Sequence, residues 1–213
     1  MNAGPLTDGE LAAMALTGRQ SAYTDLLARH REPIYRIVRG HIGDADEAID
    51  VTQQAFIAAF AALDRYDRVR PFRHWLARIA LNKCRDWARR RAVRRLLTNA
   101  LPLGAAETIA DESVPQDVVL DDRQRLKGVM LAITGLPSRL KEALLLHTVE
   151  GLSQSETAAL LGVSEKAVET RVYRARQKLN EILRDPNRSS VSTGTTKDEG
   201  AFSRPHPPSA GTH

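Results

Sequence analysis

The segment LSQSETAALLGVSEKAVETRVYRARQKL, Leu152 to Leu179, constrains the fold more than any other stretch of the chain. It carries two helical patterns joined by only Leu161-Gly162-Val163-Ser164. Ser153 and Glu156 have the spacing of a capping box, in which two side chains satisfy orphan N–H groups at a helix start, so the first helix is expected to run to about Leu161. Gly162 supplies the positive φ that so tight a turn needs, and Ser164 caps the second helix. At about 100° per residue, Val168, Val172, Ala175 and Leu179 share one face and predict a buried stripe. Lys166, Thr170, Tyr173 and Gln177 fall opposite, flanked by Glu169 and Arg174. Short helix, glycine turn and second helix with an exposed polar face describe a helix-turn-helix. There the N-terminal half of the second helix reads base edges, while Arg and Lys farther along reach phosphates. A plain helical hairpin with a solvated charged face is the alternative. The glycine turn and the Leu136-Pro137 helix start ahead of it favour duplex DNA as the partner.

Charge divides the rest of the chain. Residues 1–95 hold 17 Lys+Arg against 11 Asp+Glu, residues 96–125 hold 2 against 6, and residues 126–184 hold 9 against 6. Two basic blocks thus flank an acidic connector, within a net charge of +5 that suits a polyanionic partner. In the first block, Thr7 with Glu10 and Asp44 with Glu47 mark two more helix starts. Apolar residues then recur at three and four (Leu26, Leu27, Ile34, Ile37, Val38; Ile49, Phe56, Ile57, Phe60, Leu63), as helices burying one face require. No segment shows sustained strand alternation. The expected fold is all-α, with two small helical domains at 1–95 and 126–184 joined by a flexible acidic linker, 96–125, that carries Pro102, Gly104 and Pro115. The Ser-, Thr-, Gly- and Pro-rich tail 185–213 is expected to be disordered.

The segment PFRHWLARIALNKCRDWARRRAVRR, Pro71 to Arg95, starts with a proline suited to a first helical turn. Phe72, Leu76, Ile79, Ala80 and Trp87 share a broad inward face. Arg78, Asn82, Arg85 and Arg89, spaced at four, three and four, form a polar strip on another. From Lys83 to Arg95 there are seven basic residues and one acid, a density suited to phosphate contact.

Other chemistries find no foothold. One cysteine, Cys84, excludes a disulfide framework and a Cys-rich zinc site, and suits a reducing cytoplasm. As a lone helical thiol it is expected to be an inert core residue. Phosphate-binding glycine loops, a zinc-protease motif and His/Cys ligand spacing are missing, so neither catalysis nor a cofactor or metal is expected. His147 is expected to be structural. With no apolar run of about 20 residues and no signal-like start, the chain is expected to be soluble and cytoplasmic, without membrane insertion.

Three motifs together carry a resemblance: DVTQQAFIAAFAALDRYD, FRHWLARIALNKCRDWARRR, and LPSRLKEALLLHTVEGLSQSETAALLGVSEKAVETRVYRARQKL. In this order and spacing, over roughly residues 7 to 183, the chain resembles the extracytoplasmic-function (ECF) sigma factors. These are the minimal two-domain class of bacterial RNA polymerase initiation factors. The resemblance makes the first block a sigma-2 domain and the second a sigma-4 domain. It implies that Asp50, Gln53 and Phe56 lie on a helix that docks on the β′ coiled coil of core RNA polymerase, whose β′ and β subunits are the expected partners. It implies that Arg78, Asn82, Arg85, Arg89 and Arg90 engage the minus-10 element, and that the loop from about Asp64 to Arg73 captures a flipped base. Lys166, Thr170, Arg171, Tyr173 and Arg174 would then read the minus-35 element of promoter DNA. It further implies an anti-sigma factor that occludes these faces.

The chain also departs from the family pattern. Its capture loop reads RYDRVRPF where many relatives are rich in Gly and Ser, Gln54 stands where Glu is common, and Glu169 where a small or basic residue is. Glu169 would accept from a cytosine N4 or repel phosphate. The acidic connector is expected to thread toward the RNA exit path and to mimic RNA charge there. Two other functions compete: a stand-alone helix-turn-helix regulator, which has no use for a docking face at Asp50 and Gln53, and a helical RNA-binding or adaptor protein, which leaves the Gly162 turn unexplained.

Overall fold

Thr7 and Glu10 exchange hydrogen bonds, the Thr7 N–H donating to the Glu10 carboxylate at 2.7 Å, and this closes the first turn of α1, Asp8–Leu16. The protein is described here from a computed structural model covering residues 6–100 and 119–184. Helix α2 spans Gln20–Ile42 and ends at Gly43, whose φ of 90° is open to glycine without strain. Asp44 then caps α3, Ala45–Ala61, by accepting from the Glu47 N–H. This box is only half closed. The Glu47 carboxylate instead accepts from Trp87 Nε1 and lies 3.9 Å from Arg91, tying α3 to α4.

A short 3₁₀ turn, Leu63–Arg65, leads to α4, Phe72–Ala100. Leu11, Leu26, Ile34, Ile37, Val51, Phe72, Leu76 and Leu81 are fully buried among α1 to α4, and each such side chain contributes about 1.5–3 kcal/mol by leaving water. The predicted inward residues of α4 hold that place, with Ile79 only partly buried.

On α3 the expected core is corrected. Ile49 and Ile57 are 46% and 69% exposed, and Leu27 of α2 is also exposed. The inward face of α3 is instead Ala48, Val51, Thr52, Ala55, Phe56 and Ala59. Alanines let three helices approach closely, and a reading that weights large apolar residues passes over them.

The second domain comprises α5 (Val119–Gly135), α6 (Ser138–Leu144), a π-helical turn (Leu145–Val149), α7 (Gln154–Leu161) and α8 (Glu165–Arg184). Ser153 and Glu156 form the full capping box, Gly162 sits in the left-handed region at φ 67°, and Ser164 accepts from the Ala167 N–H. Val168, Val172 and Ala175 are buried against Leu136, Ala143, Leu144 and Ala158, with Leu179 partly buried beside them. His147 is structural: its Nδ1 lies 2.8 Å from the Leu152 carbonyl oxygen.

Helix occupies both ends of the segment expected to be a flexible linker, because α4 continues to Ala100 and α5 begins at Val119. No Gly or Pro interrupts 96–100 or 119–125, so nothing stops either helix there. The remaining linker residues, 101–118, and the tail 185–213 lie outside the described residues. No described helix is long and apolar enough to cross a membrane.

The two domains pack on each other. Leu146, Leu152 and Leu160 of the second belong to the core cluster of the first. Helix α2 meets the π turn at Gly40, where a Cβ would stand 2.5 Å from Leu145 Cδ2. Lys141 Nζ donates to the carbonyls of His41 and Thr134 at 3.0 and 2.6 Å, so one ammonium satisfies the C-terminal ends of α2 and α5.

Candidate docking and DNA-binding faces

Helix α3 projects an exposed ridge. Asp50 and Gln53 are both exposed, whereas Phe56 is 4% exposed and sits at the floor. On the Gln53 side lies a groove of about 540 Å³ between α2 and α3, lined by Leu27, Arg31, Tyr35, Ile49 and Phe56. On the Asp50 side lies another of about 700 Å³ between α3 and α4, lined by Gln54, Trp87, Arg90 and Val93. Exposed Ile49 and Ile57 lie one turn before and one turn after Gln53, so the ridge joins apolar and polar groups as interaction surfaces do. Ile49 and Ile57 were legible as candidates only once their places in the core had gone to alanines.

The loop before α4 is anchored at its base and free at its tip. Tyr66 is buried, its hydroxyl donates to the Arg70 carbonyl, and its ring packs against Phe72 and Trp75. The Asp67 carboxylate accepts from the Val69 N–H, and Val69 at the tip is 93% exposed between Arg68 and Arg70. Trp75 belongs to this aromatic cluster and keeps partial exposure.

Arg78, Asn82, Arg85 and Arg89 lie on the outer surface of α4 as its periodicity predicts, and Arg90 is exposed beside them. Beneath them Cys84 is fully buried, and burial pushes its thiol up to about 12, which makes it inert at neutral pH. The second domain reaches Arg78 and Arg85 of the strip. Arg78 Nη2 donates to the Ala159 carbonyl at 2.8 Å. Arg85 grips Glu142 through both edges, Nε to Oε1 at 2.8 Å and Nη2 to Oε2 at 2.6 Å, while its Nη1 donates to Asn82 Oδ1 at 3.0 Å. Arg89, beyond this contact, pairs with Asp86.

Glu142 is the residue that sequence reasoning passed over. Its side chain is 4% exposed. Burial pushes its carboxyl up, but His41 and Arg85 beside it outweigh that and hold it below the usual carboxylate range. His41 Nε2 is 3.7 Å from Oε1, longer than a hydrogen bond, so Arg85 is the partner that satisfies the carboxylate. Next to it, burial pushes Lys141 down to about 8. No sequence pattern distinguishes Glu142 from an ordinary solvated acid, since its partner stands 57 residues earlier.

On α8, Lys166 and Arg174 are exposed, Tyr173 is 62% exposed, and Thr170 and Arg171 are half-buried. Glu169 accepts from Lys166 Nζ at 2.9 Å, which draws that ammonium along the helix. Gln177 Nε2 donates to the Tyr173 hydroxyl at 2.8 Å and steadies the ring. Among the described residues, this face carries no packed neighbour of the kind that contacts α4.

Comparison with known proteins places the chain in a family. The family model for sigma-70 region 2 matches residues 26–94 and that for sigma-70 region 4 matches residues 126–179. RNA polymerase sigma factor CnrH of Cupriavidus metallidurans is 42% identical over 180 residues, covering 83% of this chain and 94% of that protein. ECF RNA polymerase sigma factor SigW of Bacillus subtilis is 30% identical over 174 residues, covering 79% and 92%. The solved structure of CnrH in complex with the cytosolic domain of CnrY superposes with a TM-score of 0.59 at 36% identity, covering 83% of this chain and 97% of that one. The sigma factor RpoE of Bartonella quintana, solved with the anti-sigma factor NepR, shares the fold with a TM-score of 0.60 at 21% identity, over 76% and 96%. The chain belongs to the sigma-70 family, as an ECF-type RNA polymerase sigma factor with regions 2 and 4.

Proposed function

We propose that this sigma factor docks on core RNA polymerase through the α3 ridge, with Asp50 and Gln53 meeting the β′ coiled coil and Phe56 shaping the ridge from beneath. Sigma factors direct polymerase to start transcription and are initiation factors rather than catalysts, so the role read here is non-enzymatic and is exercised in the cytoplasm. Residues 1–95 act as the sigma-2 domain and 126–184 as the sigma-4 domain. Arg78, Asn82, Arg85, Arg89 and Arg90 engage the minus-10 element once accessible, and the Val69 loop receives an extruded base. Flipping costs a few kcal/mol of unstacking that binding the base offsets, so melting needs no ATP. Lys166, Thr170, Arg171, Tyr173 and Arg174 contact the minus-35 element. By analogy with CnrH and RpoE, each solved with a protein partner, an anti-sigma factor restrains the chain.

The observation that carries this reading is the ridge itself, where Ile49 and Ile57 stand exposed beside Asp50 and Gln53. A stand-alone regulator would leave it without a partner. The test is co-elution with bacterial core RNA polymerase at moderate salt. Wild type is expected to co-elute, and an Asp50→Ala, Gln53→Ala double variant of unchanged helicity to be lost from the complex. A folded wild type that does not co-elute overturns the reading.

A further inference from the structure

The outward face of α8 carries a carboxylate where a surface for DNA would be expected to carry only cations and neutral groups. Lys166 Nζ donates to Glu169 Oε2 at 2.9 Å, and the two side chains are 80% and 53% exposed. At about 100° per residue they stand within about 60° of each other, next to Tyr173. Both lie in the first two turns, the part of a recognition helix that meets base edges rather than phosphates. Val168, Val172 and Ala175 pack the opposite face of α8 against Ala143, Leu144 and Ala158, so the direction of the pair is fixed by the core. Thr170 beside it turns its hydroxyl inward, donating to the Lys166 carbonyl at 2.8 Å. A lone carboxylate here would repel phosphate. Joined to an ammonium it has no net charge and becomes an acceptor set beside a donor.

We propose that Lys166 and Glu169 together read one G·C pair of the minus-35 element, Lys166 donating to guanine O6 and Glu169 accepting from cytosine N4. The proposal rests on the minus-35 reading of α8 given above and adds the base that one part of that face selects. In the major groove, O6 and N4 of a G·C pair lie side by side, acceptor next to donor, joined by their own hydrogen bond at about 2.9 Å. The protein pair presents donor next to acceptor at 2.9 Å, so the two pairs meet in register. Each charge also keeps its partner as it leaves water, which limits the desolvation penalty.

A T·A pair likewise presents an oxygen beside an amine, O4 beside N6, and the flanking groups decide against it. Guanine adds N7, a second acceptor for the ammonium, where thymine carries a methyl. Adenine adds N7, an acceptor that repels a carboxylate, where cytosine has no acceptor. The reversed pairs, C·G and A·T, set ammonium against amine and carboxylate against carbonyl oxygen.

The test is sequence selection by the full-length chain bound to core polymerase, from a duplex library of random sequence. Wild type is compared with Lys166→Ala, Glu169→Ala and the double variant. Both positions are exposed and alanine favours helix, so circular dichroism is expected to show unchanged helicity. In wild type the selected duplexes should favour G·C at one upstream position by about tenfold. Each single variant should relax that position and no other, and the double variant should relax it no further, as one jointly read base pair requires. Preferences that neither variant alters overturn the proposal, and so does relaxation at two different positions. Tighter binding of Glu169→Ala to every sequence alike overturns it too, as the mark of a carboxylate that only repels phosphate. Failure of the minus-35 reading itself has a different signature: Tyr173→Ala and Arg174→Ala would then leave the selected sequences and the salt dependence as in wild type.

Discussion

Helices α4 and α8 carry nearly the same chemistry and stand in opposite situations. Each buries one apolar face and turns a row of Arg and Lys outward, and each starts in a region matched to a sigma-70 model. On α8 the row meets solvent, with Tyr173 and Arg174 exposed; on α4 the first half of the row is gripped by α6 and α7. A basic helical face identifies a candidate for DNA and says nothing about whether the face is available. Availability is set by packing between elements far apart in the chain, and here it makes one of two similar faces conditional.

The largest expected effect comes from removing the apolar part of that packing. Leu146 is fully buried and joins the first domain's core although it belongs to the second. Leu146→Ala should cost about 2–5 kcal/mol in urea unfolding and make α4 as accessible as α8; a cost under about 1 kcal/mol would mean that the domains hardly depend on each other. Next, Gly162→Ala forces a Cβ into a left-handed backbone at φ 67°, at a cost of about 1–2 kcal/mol. Hydrogen exchange should show the loosening in α7 and α8 and leave α1 to α3 protected.

A subtler contrast lies in salt dependence. For non-specific duplex binding by the free chain, Arg174→Ala should lower the slope of log K against log salt by about 0.9, the value of one phosphate contact. Arg85→Ala should leave it unchanged, because Glu142 already holds that guanidinium; equal effects from the two would erase the difference between the faces. The smallest effect is on pH. Burial pushes both His30 and His74 down, against the opposing pull of Asp8 and of Glu156 respectively. The unfolded chain then binds more protons as pH falls below 6.5, so stability is full above that pH and declines beneath it. Thermal unfolding at about pH 5.5 should show a lower Tm than at pH 7, and a His30→Gln, His74→Gln double variant should flatten the difference.

What could be read from the residues was whatever depends on near neighbours. The Ser153 and Glu156 box, the Gly162 turn and the stripe from Val168 to Ala175 are all decided within a few positions, and each stands as expected. The polar strip of α4 was legible for the same reason. Ile49 and Ile57 were misassigned to the core because periodicity shows which residues share a face but not whether alanines already fill the interior. Glu142 was invisible, since its burial depends on Arg85 and on the close approach at Gly40. The π turn at Leu145–Val149 escaped as well: one helical register passes into another there without any Gly or Pro to mark it.

The packing of the two domains on each other in the free chain is tested most directly by the distance between them before and after polymerase binds. Asp64 and Gln154 are exposed, one in each domain, and Cys84 is too buried to compete for thiol labels. An Asp64→Cys, Gln154→Cys chain carrying a donor and acceptor pair should show one high-transfer population when free and a low-transfer population once core polymerase is added. The same transfer efficiency in both states would contradict a contact between the domains that gives way when polymerase binds.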